Sequence, residues 1–259
     1  MRSWLACWDW WPTVPDVSAV SRVATGRNAV SLLLRMSYRL RMTGTHHVPT
    51  RGGVILAANH LGLLDGPALF AASPRPVHVM SKSELFDGPW ASAFRAMRQI
   101  PIDNESPDRS ALLAALSVLS DNEVVGMFPE SRRGRGDVSH MRHGVAYLAL
   151  RSGVPVVPVA ILGTRETGAG RESVPAPRST IHVVFGEPMS FPVGPAPYRR
   201  AAVGNAGELL RQRLADHVLE AVARTGQPLP SDDLTRESDQ DSPARPRSHR
   251  PRSHRRPKP

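Results

Sequence analysis

The 259-residue sequence predicts an α/β fold, a layered domain with a buried central sheet flanked by helices. Short runs rich in Val and Ile, bounded by Gly, Pro or polar residues, read as buried strands. Segments with helical apolar spacing fall between them, and such alternation is the mark of layered α/β architecture. Two of the runs end abruptly in polar clusters, which is where folds of this class commonly place their sites.

In chain order, the first element is a basic amphipathic helix over 17–42, with Val20, Val23, Val30, Leu33, Leu34 and Leu40 set among Arg22, Arg27, Arg35, Arg39 and Arg41. Strands are expected at Val54–Ala58, Val77–Met80, Val124–Phe128, Val156–Leu162 and Ile181–Phe185. Ser106 and Pro107 read as an N-cap followed by Pro at the first helical position, introducing a helix through Leu112, Leu113, Leu116 and Leu119. A second helix is expected over His140–Arg151, closed by Gly153 and Pro155. Leu210, Leu214, Val218 and Val222 recur every four residues, the pattern of a helix docked along one face. The chain accordingly divides into an N-terminal segment over 1–43, the α/β domain over 44–226 and a tail over 227–259.

Charge and aromatics are unevenly distributed. The net charge is +10, of which residues 243–259 carry +7 with no acid, residues 228–242 carry −4, and the body over 1–227 keeps +7. A basic body favours phosphates, anionic lipid or nucleic acid. The tail, with PRSHR twice in succession at 246–255, buries too little apolar area to offset its ordering entropy and is expected to be disordered. It reads either as a tether to anionic lipid or RNA or as a solvated tail. Trp4, Trp8, Trp10 and Trp11 crowd the other end. Indole rings favour the headgroup level of a bilayer, so this cluster and the basic helix suit a membrane surface, and equally suit packing over a domain edge.

The single cysteine, Cys7, excludes an intrachain disulfide and a cysteine-based zinc cluster. No run approaches the ~18–20 apolar residues of a spanning helix. The start lacks the pattern of a secretory signal, so a cytoplasmic location is expected.

Two segments carry chemistry. Val54–Ala58 runs into Asn59 and His60, with Asp65 after a gap containing Gly62. Histidine is the side chain best suited to take a proton at neutral pH, and a carboxylate on its other ring nitrogen fixes the tautomer. Val124–Phe128 runs into Pro129, Glu130 and Ser131, followed by Arg132, Arg133 and Arg135 between glycines. Guanidinium groups grip phosphate bidentately, and glycines let backbone N–H groups approach it.

Taken together, these segments resemble the glycerolipid acyltransferases, the family of lysophosphatidic acid acyltransferases. The first family signature, N-H-x4-D, is matched by Asn59-His60 through Asp65. The second, of the type G-x-I-P-I-D-R, is matched by Arg98-Gln99-Ile100-Pro101-Ile102-Asp103-Asn104. The third, F-P-E-G with a following basic residue, is matched by Phe128-Pro129-Glu130-Ser131 and then Arg132-Arg133. The fourth, an apolar run with two prolines, is matched by Val154-Pro155-Val156-Val157-Pro158-Val159-Ala160. The resemblance runs from Gly44 to Pro188 with all four signatures in order.

The resemblance implies transfer of an acyl chain from acyl-CoA or acyl carrier protein to the hydroxyl of a lysophospholipid, foremost 1-acylglycerol-3-phosphate. His60 would be the base and Asp65 its orienting partner, with no acyl-enzyme, no metal and no cofactor. Asn59, Phe128, Pro129, Glu130, Ser131, Arg132 and Arg133 would form the acceptor site, and Val154–Ile161 would line the donor site. The implied setting is the cytoplasmic face of an anionic membrane, bound peripherally. Two departures stand out: the closing arginine of the second signature is Asn104, and the glycine of the third is Ser131 with Arg132 where threonine is usual. Arg98, Arg132 or Arg135 would then supply the missing charge, or the acceptor is a different lyso-lipid or hydroxyl compound. A nucleic-acid-binding module gives no reason for the His60/Asp65 pair and lacks interleaved aromatics. An inactive membrane scaffold on the same fold is the remaining alternative.

Overall fold

The computed structural model describes residues 17–103, 108–191 and 199–232. Within them a seven-stranded mixed sheet is flanked by helices. The strands are β1 (Arg39–Thr43), β2 (Val54–Ala58), β3 (Val77–Lys82), β4 (Ile100–Ile102), β5 (Val124–Met127), β6 (Val156–Leu162) and β7 (Thr180–Phe185). The principal helices are α1 (Val17–Ser37), α2 (Asp65–Ala72), α3 (Ala91–Ala96), α4 (Arg109–Ser120), α5 (Gly144–Ser152) and α6 (Arg200–Thr225). The sheet order is β1-β7-β6-β2-β5-β3-β4. β6, β2, β5, β3 and β4 run parallel, while β7 is antiparallel to β6 and β1 follows β7.

Central strands covered on both faces read as continuous apolar runs, and β2 and β6 are buried at every position. Alternation sorts their side chains between the faces. Val54, Leu56 and Ala58 join a cluster with α2, including Leu69 and Phe70. Ile55 and Ala57 join another with Val118 of α4 and Leu148 of α5. A smaller cluster seats Leu214, Val218 and Ala221 of α6 against Ala160, Leu162 and Val184. Each fully buried Val or Leu contributes on the order of 1.5–3 kcal/mol, so this patterning fixes both the register and the faces.

Several boundaries differ from the sequence expectation. The helix expected over 17–42 stops at Ser37, and Arg39–Thr43 instead pairs with β7 at the sheet edge. Its arginines mimic a polar helix face, whereas at an edge strand alternate residues face solvent. The three-residue strand β4 is too short to show a period. Helix α4 is capped by Asp108, whose side chain accepts from Ala111 N at 3.0 Å, not by Ser106; Ser106 and Pro107 lie outside the described residues. Helix α5 starts at Gly144 rather than His140, and ends where Gly153 takes φ 71°, a left-handed geometry that suits glycine. Past α6 the chain stays on the domain as far as Asp232: Ser231 N donates to Thr167 Oγ1 at 3.1 Å, and Asp232 pairs with Arg165. The expected tail from Gln227 therefore begins too early. Cys7, the tryptophan cluster, Asn104 and 233–259 lie outside the described residues. Among the described residues no helix is long and apolar enough to cross a membrane.

Candidate active site

The adjacent parallel strands β5, β2 and β6 end at the same edge of the sheet, and each delivers polar residues there. His60 follows β2, Phe128–Glu130 follow β5, and Thr164 and Arg165 follow β6.

His60 and Asp65 meet as expected. Nδ1 of His60 lies 2.7 Å from Asp65 Oδ2. Because a carboxylate only accepts, Nδ1 carries the hydrogen and Nε2 presents its lone pair. The same Oδ2 accepts from Leu61 N at 2.5 Å and Gly62 N at 2.9 Å, and Oδ1 accepts from Thr164 Oγ1. Asp65 is fully buried and opens α2, where the helix dipole favours a negative charge. The His60 side chain keeps 17% of its surface exposed, so the held imidazole remains open to solvent. The turn is tight: a Cβ on Gly62 would come within 2.9 Å of Thr164 O.

The third signature packs over this pair. Phe128 stacks on the His60 ring with centroids 4.3 Å apart and 21° between planes. Glu130 faces the histidine main chain: Oε2 accepts from His60 N at 2.6 Å and Oε1 from Val138 N at 3.2 Å. Burial pushes the Glu130 carboxyl up to about 8, against the opposing pull of those two N–H groups and with help from the charges of Asp137 and Asp65. Pro129 is buried and its carbonyl accepts from Arg142 N at 2.9 Å. Gly134 N donates to His60 O at 3.0 Å, so both main-chain groups of His60 are held by one loop. Two non-glycine residues of that loop are left-handed, Ser131 at φ 63° and Val138 at φ 55°. A β-branched residue in that region is a strained position, at a cost of about 1–3 kcal/mol.

Other expected site residues fall elsewhere. Asn59 is fully buried, its Oδ1 accepting from Ile161 N at 2.7 Å and its Nδ2 donating to Ile161 O at 3.1 Å and, more weakly, to Gly136 O at 3.4 Å. It ties the end of β2 to β6. Arg98 is buried at the opposite end of the sheet, 3.6 Å from Glu123, the residue that precedes β5. Glu123 also meets His78; burial pushes its carboxyl up, but the hydrogen bond with His78 and the charges of Arg98 and Arg75 leave it below the usual range. Arg98 is thus too far from His60 to replace a missing site charge. Within the Val154–Ile161 run, Val156–Ile161 is buried at every position, and Val154 and Pro155 are half-buried at the end of the strand away from His60. Of the signature arginines, Arg133 pairs with Glu172 and donates to Arg171 O at 3.4 Å, and Arg135 lies 3.5 Å from Asp137. Arg132 is exposed and has no hydrogen-bond or ion-pair partner among the described residues.

Thr164 and Arg165 were missed in the sequence, although Leu162-Gly163-Thr164-Arg165 repeats the apolar-run-into-polar-turn pattern seen at the ends of β2 and β5. Among the described residues no cluster of His, Cys, Asp or Glu is arranged to hold a metal ion.

Comparison with known proteins finds acyltransferase relatives. A family model described as Acyltransferase matches residues 39–162, beginning at the first residue of β1. The 1-acyl-sn-glycerol-3-phosphate acyltransferase of Bacillus subtilis is 28% identical over 194 residues, covering 73% of this chain and 93% of the relative. The enzyme of the same name from Borreliella burgdorferi is 26% identical over 130 residues, 49% of this chain and 52% of its own. The human 1-acyl-sn-glycerol-3-phosphate acyltransferase alpha is 26% identical over 173 residues, 61% of each chain. The crystal structure of the 1-acyl-sn-glycerophosphate acyltransferase of Thermotoga maritima superposes with a TM-score of 0.57 at 19% identity, covering 82% of this chain and 84% of that one, and shares the fold. Residues 39–162 match the Acyltransferase model and the chain is similar to a 1-acyl-sn-glycerol-3-phosphate acyltransferase over 73% of its length, and these homologues support an acyltransferase enzyme.

Proposed function

We propose that this acyltransferase moves a fatty acyl chain from acyl-CoA or acyl carrier protein to the free hydroxyl of 1-acylglycerol-3-phosphate, giving phosphatidic acid, while bound peripherally at the cytoplasmic face of an anionic membrane. The observation that carries the mechanism is the 2.7 Å contact between His60 Nδ1 and a buried Asp65, which leaves Nε2 as the acceptor. Nε2 takes the hydroxyl proton as the oxygen attacks the thioester carbonyl. The new C–O bond forms, the C–S bond breaks, and the proton passes from the imidazolium to the departing thiolate. Asp65 stabilises the imidazolium in between. No cofactor enters this scheme.

Arg132, exposed two residues after Glu130, is assigned the acceptor phosphate. Glu130 holds the His60 main chain rather than the acceptor. The burial of Arg98 removes one of the charges that would offset Asn104, and this favours a second reading in which the acceptor is another lyso-lipid or hydroxyl compound. Labelled acyl-CoA and acyl carrier protein, offered with a panel of lyso-lipids to purified protein and to His60→Ala, decide between them. Product on lysophosphatidic acid that disappears in His60→Ala supports the main reading. Product confined to other acceptors moves the substrate and keeps the mechanism, and full activity in His60→Ala overturns the base.

A further inference from the structure

We propose that Arg165 is a positioning residue for acyl transfer, and that Asp232, in the segment leaving α6, holds it in place. The proposal rests on the reading of His60 as the base. The Arg165 side chain is fully buried. Nη2 donates to Gly134 O at 3.0 Å, and Nη1 donates to Ala169 O at 3.0 Å and to Asp232 Oδ2 at 2.6 Å. A guanidinium is costly to bury unless it is paired and hydrogen-bonded, and the second carboxylate oxygen of Asp232 is also buried.

The placement of these bonds points to the active site. Gly134 offers its carbonyl to Arg165 and its N–H to His60 O, so two hydrogen bonds in series link the guanidinium to the main chain of the base. Glu130 grips His60 N from the same loop, and Arg165 braces that loop from beneath. The preceding residue, Thr164, bonds Asp65. One dipeptide at the end of β6 therefore supports both members of the pair, Thr164 through the carboxylate and Arg165 through the histidine backbone. Asp232 arrives from the far side of the chain on a segment pinned by the Ser231 N to Thr167 Oγ1 bond at 3.1 Å. Chain that follows the last helix thus becomes part of the catalytic scaffold.

The test uses the full chain with Arg165→Ala, Arg165→Lys, Asp232→Asn, His60→Ala and the double variant His60→Ala/Arg165→Ala. The readouts are kcat, KM for donor and acceptor, and thermal stability. Displacing a reacting group by about 1 Å can cost on the order of a hundredfold. Arg165→Ala is expected to lower kcat at least about tenfold, a larger change than in either KM. Arg165→Lys keeps one donor for Gly134 O and recovers part of the loss, and Asp232→Asn lowers kcat in the same direction but less. In the double variant the residual rate equals that of His60→Ala, because the brace acts only through the base. Losses that multiply, or variants that melt earlier while kcat per folded molecule is unchanged, overturn the proposal; Arg165→Lys and Asp232→Asn keep that test open if Arg165→Ala does not fold. Wild-type activity in His60→Ala overturns the base itself, and normal kcat in the Arg165 variants with a dead His60→Ala overturns the brace alone.

Discussion

Replacing Asp65 by Asn isolates the charge of the pair from its geometry. Three N–H donors converge on Oδ2 of Asp65, from His60, Leu61 and Gly62, whereas Oδ1 faces only the Thr164 hydroxyl. The asparagine amide therefore keeps its oxygen toward the three donors and turns its NH2 toward Thr164, whose hydroxyl rotates from donor to acceptor. The histidine tautomer survives, and the variant loses only the negative charge opposite the forming imidazolium. At an effective dielectric near 20, opposite charges about 4 Å apart are worth about 4 kcal/mol. Relaxation reduces this to about 2–4 kcal/mol, which corresponds to a fall in kcat of roughly thirty- to a thousandfold at 1.36 kcal/mol per decade. The assay is single-turnover acyl transfer from labelled donor at saturating acceptor. Denaturant midpoints are measured alongside, because Asp65→Ala orphans the buried N–H and O–H donors at about 1–3 kcal/mol each and loses stability where Asp65→Asn does not. Adding Thr164→Val to Asp65→Asn leaves the amide without an acceptor and restores a stability loss of about 1–3 kcal/mol. A kcat for Asp65→Asn within about threefold of wild type, when a lost charge should cost far more, refutes the reasoning.

Three further outcomes are expected. Glu130 has a folded-state value of about 8, above its ordinary 4.5, so its contribution to stability is fully present below pH 4.5 and is lost as pH rises through 8; the difference in urea midpoint between wild type and Glu130→Gln shrinks from pH 5 to pH 8.5. Asn59→Ala leaves Ile161 N without its acceptor and costs about 1–3 kcal/mol in denaturant unfolding, while KM for the acceptor stays unchanged, since Asn59 only joins strands. Ser131→Gly relieves a left-handed serine and raises stability by about 0.5–1 kcal/mol in the same unfolding assay.

The sequence and the structure agree best where packing alone decides. The strands Val54–Ala58 and Val156–Leu162 keep their expected bounds because a strand covered on both faces is a plain apolar run. The edge strand over 39–43 was hidden because its alternating arginines fit a helix face as well as a solvated edge, and only pairing with β7, some 140 residues away, settles its state. At the site, His60 and Asp65 lie close in sequence and their bond was legible from the spacing. Thr164 bonds Asp65 from 99 residues away; the polar turn that ends its apolar run is visible locally, but its partner is not. Arg98 misled for the complementary reason: a basic residue within a signature suggests phosphate, yet the parallel register sends it to the end of the sheet where strands begin, against Glu123.

Glu130 shows why the first and third signatures belong together although 70 residues separate their contact. A base on a turn works only if its main chain cannot move, and a turn has no ladder of its own to hold it. Here the acid beside the basic loop accepts the amide of His60, the glycine after the arginines donates to its carbonyl, and the phenylalanine before the acid stacks on its ring. The same loop carries the exposed Arg132. Under the proposed mechanism, clamping the base and presenting a cation to the acceptor become one structural act, and a change that loosens the loop is expected to weaken proton transfer and phosphate binding together. This also explains how the third signature tolerates Ser131 and Arg132. The clamp runs through Phe128, Glu130 and Gly134, which are unchanged in role by those two substitutions, and the cost falls on backbone strain at one residue.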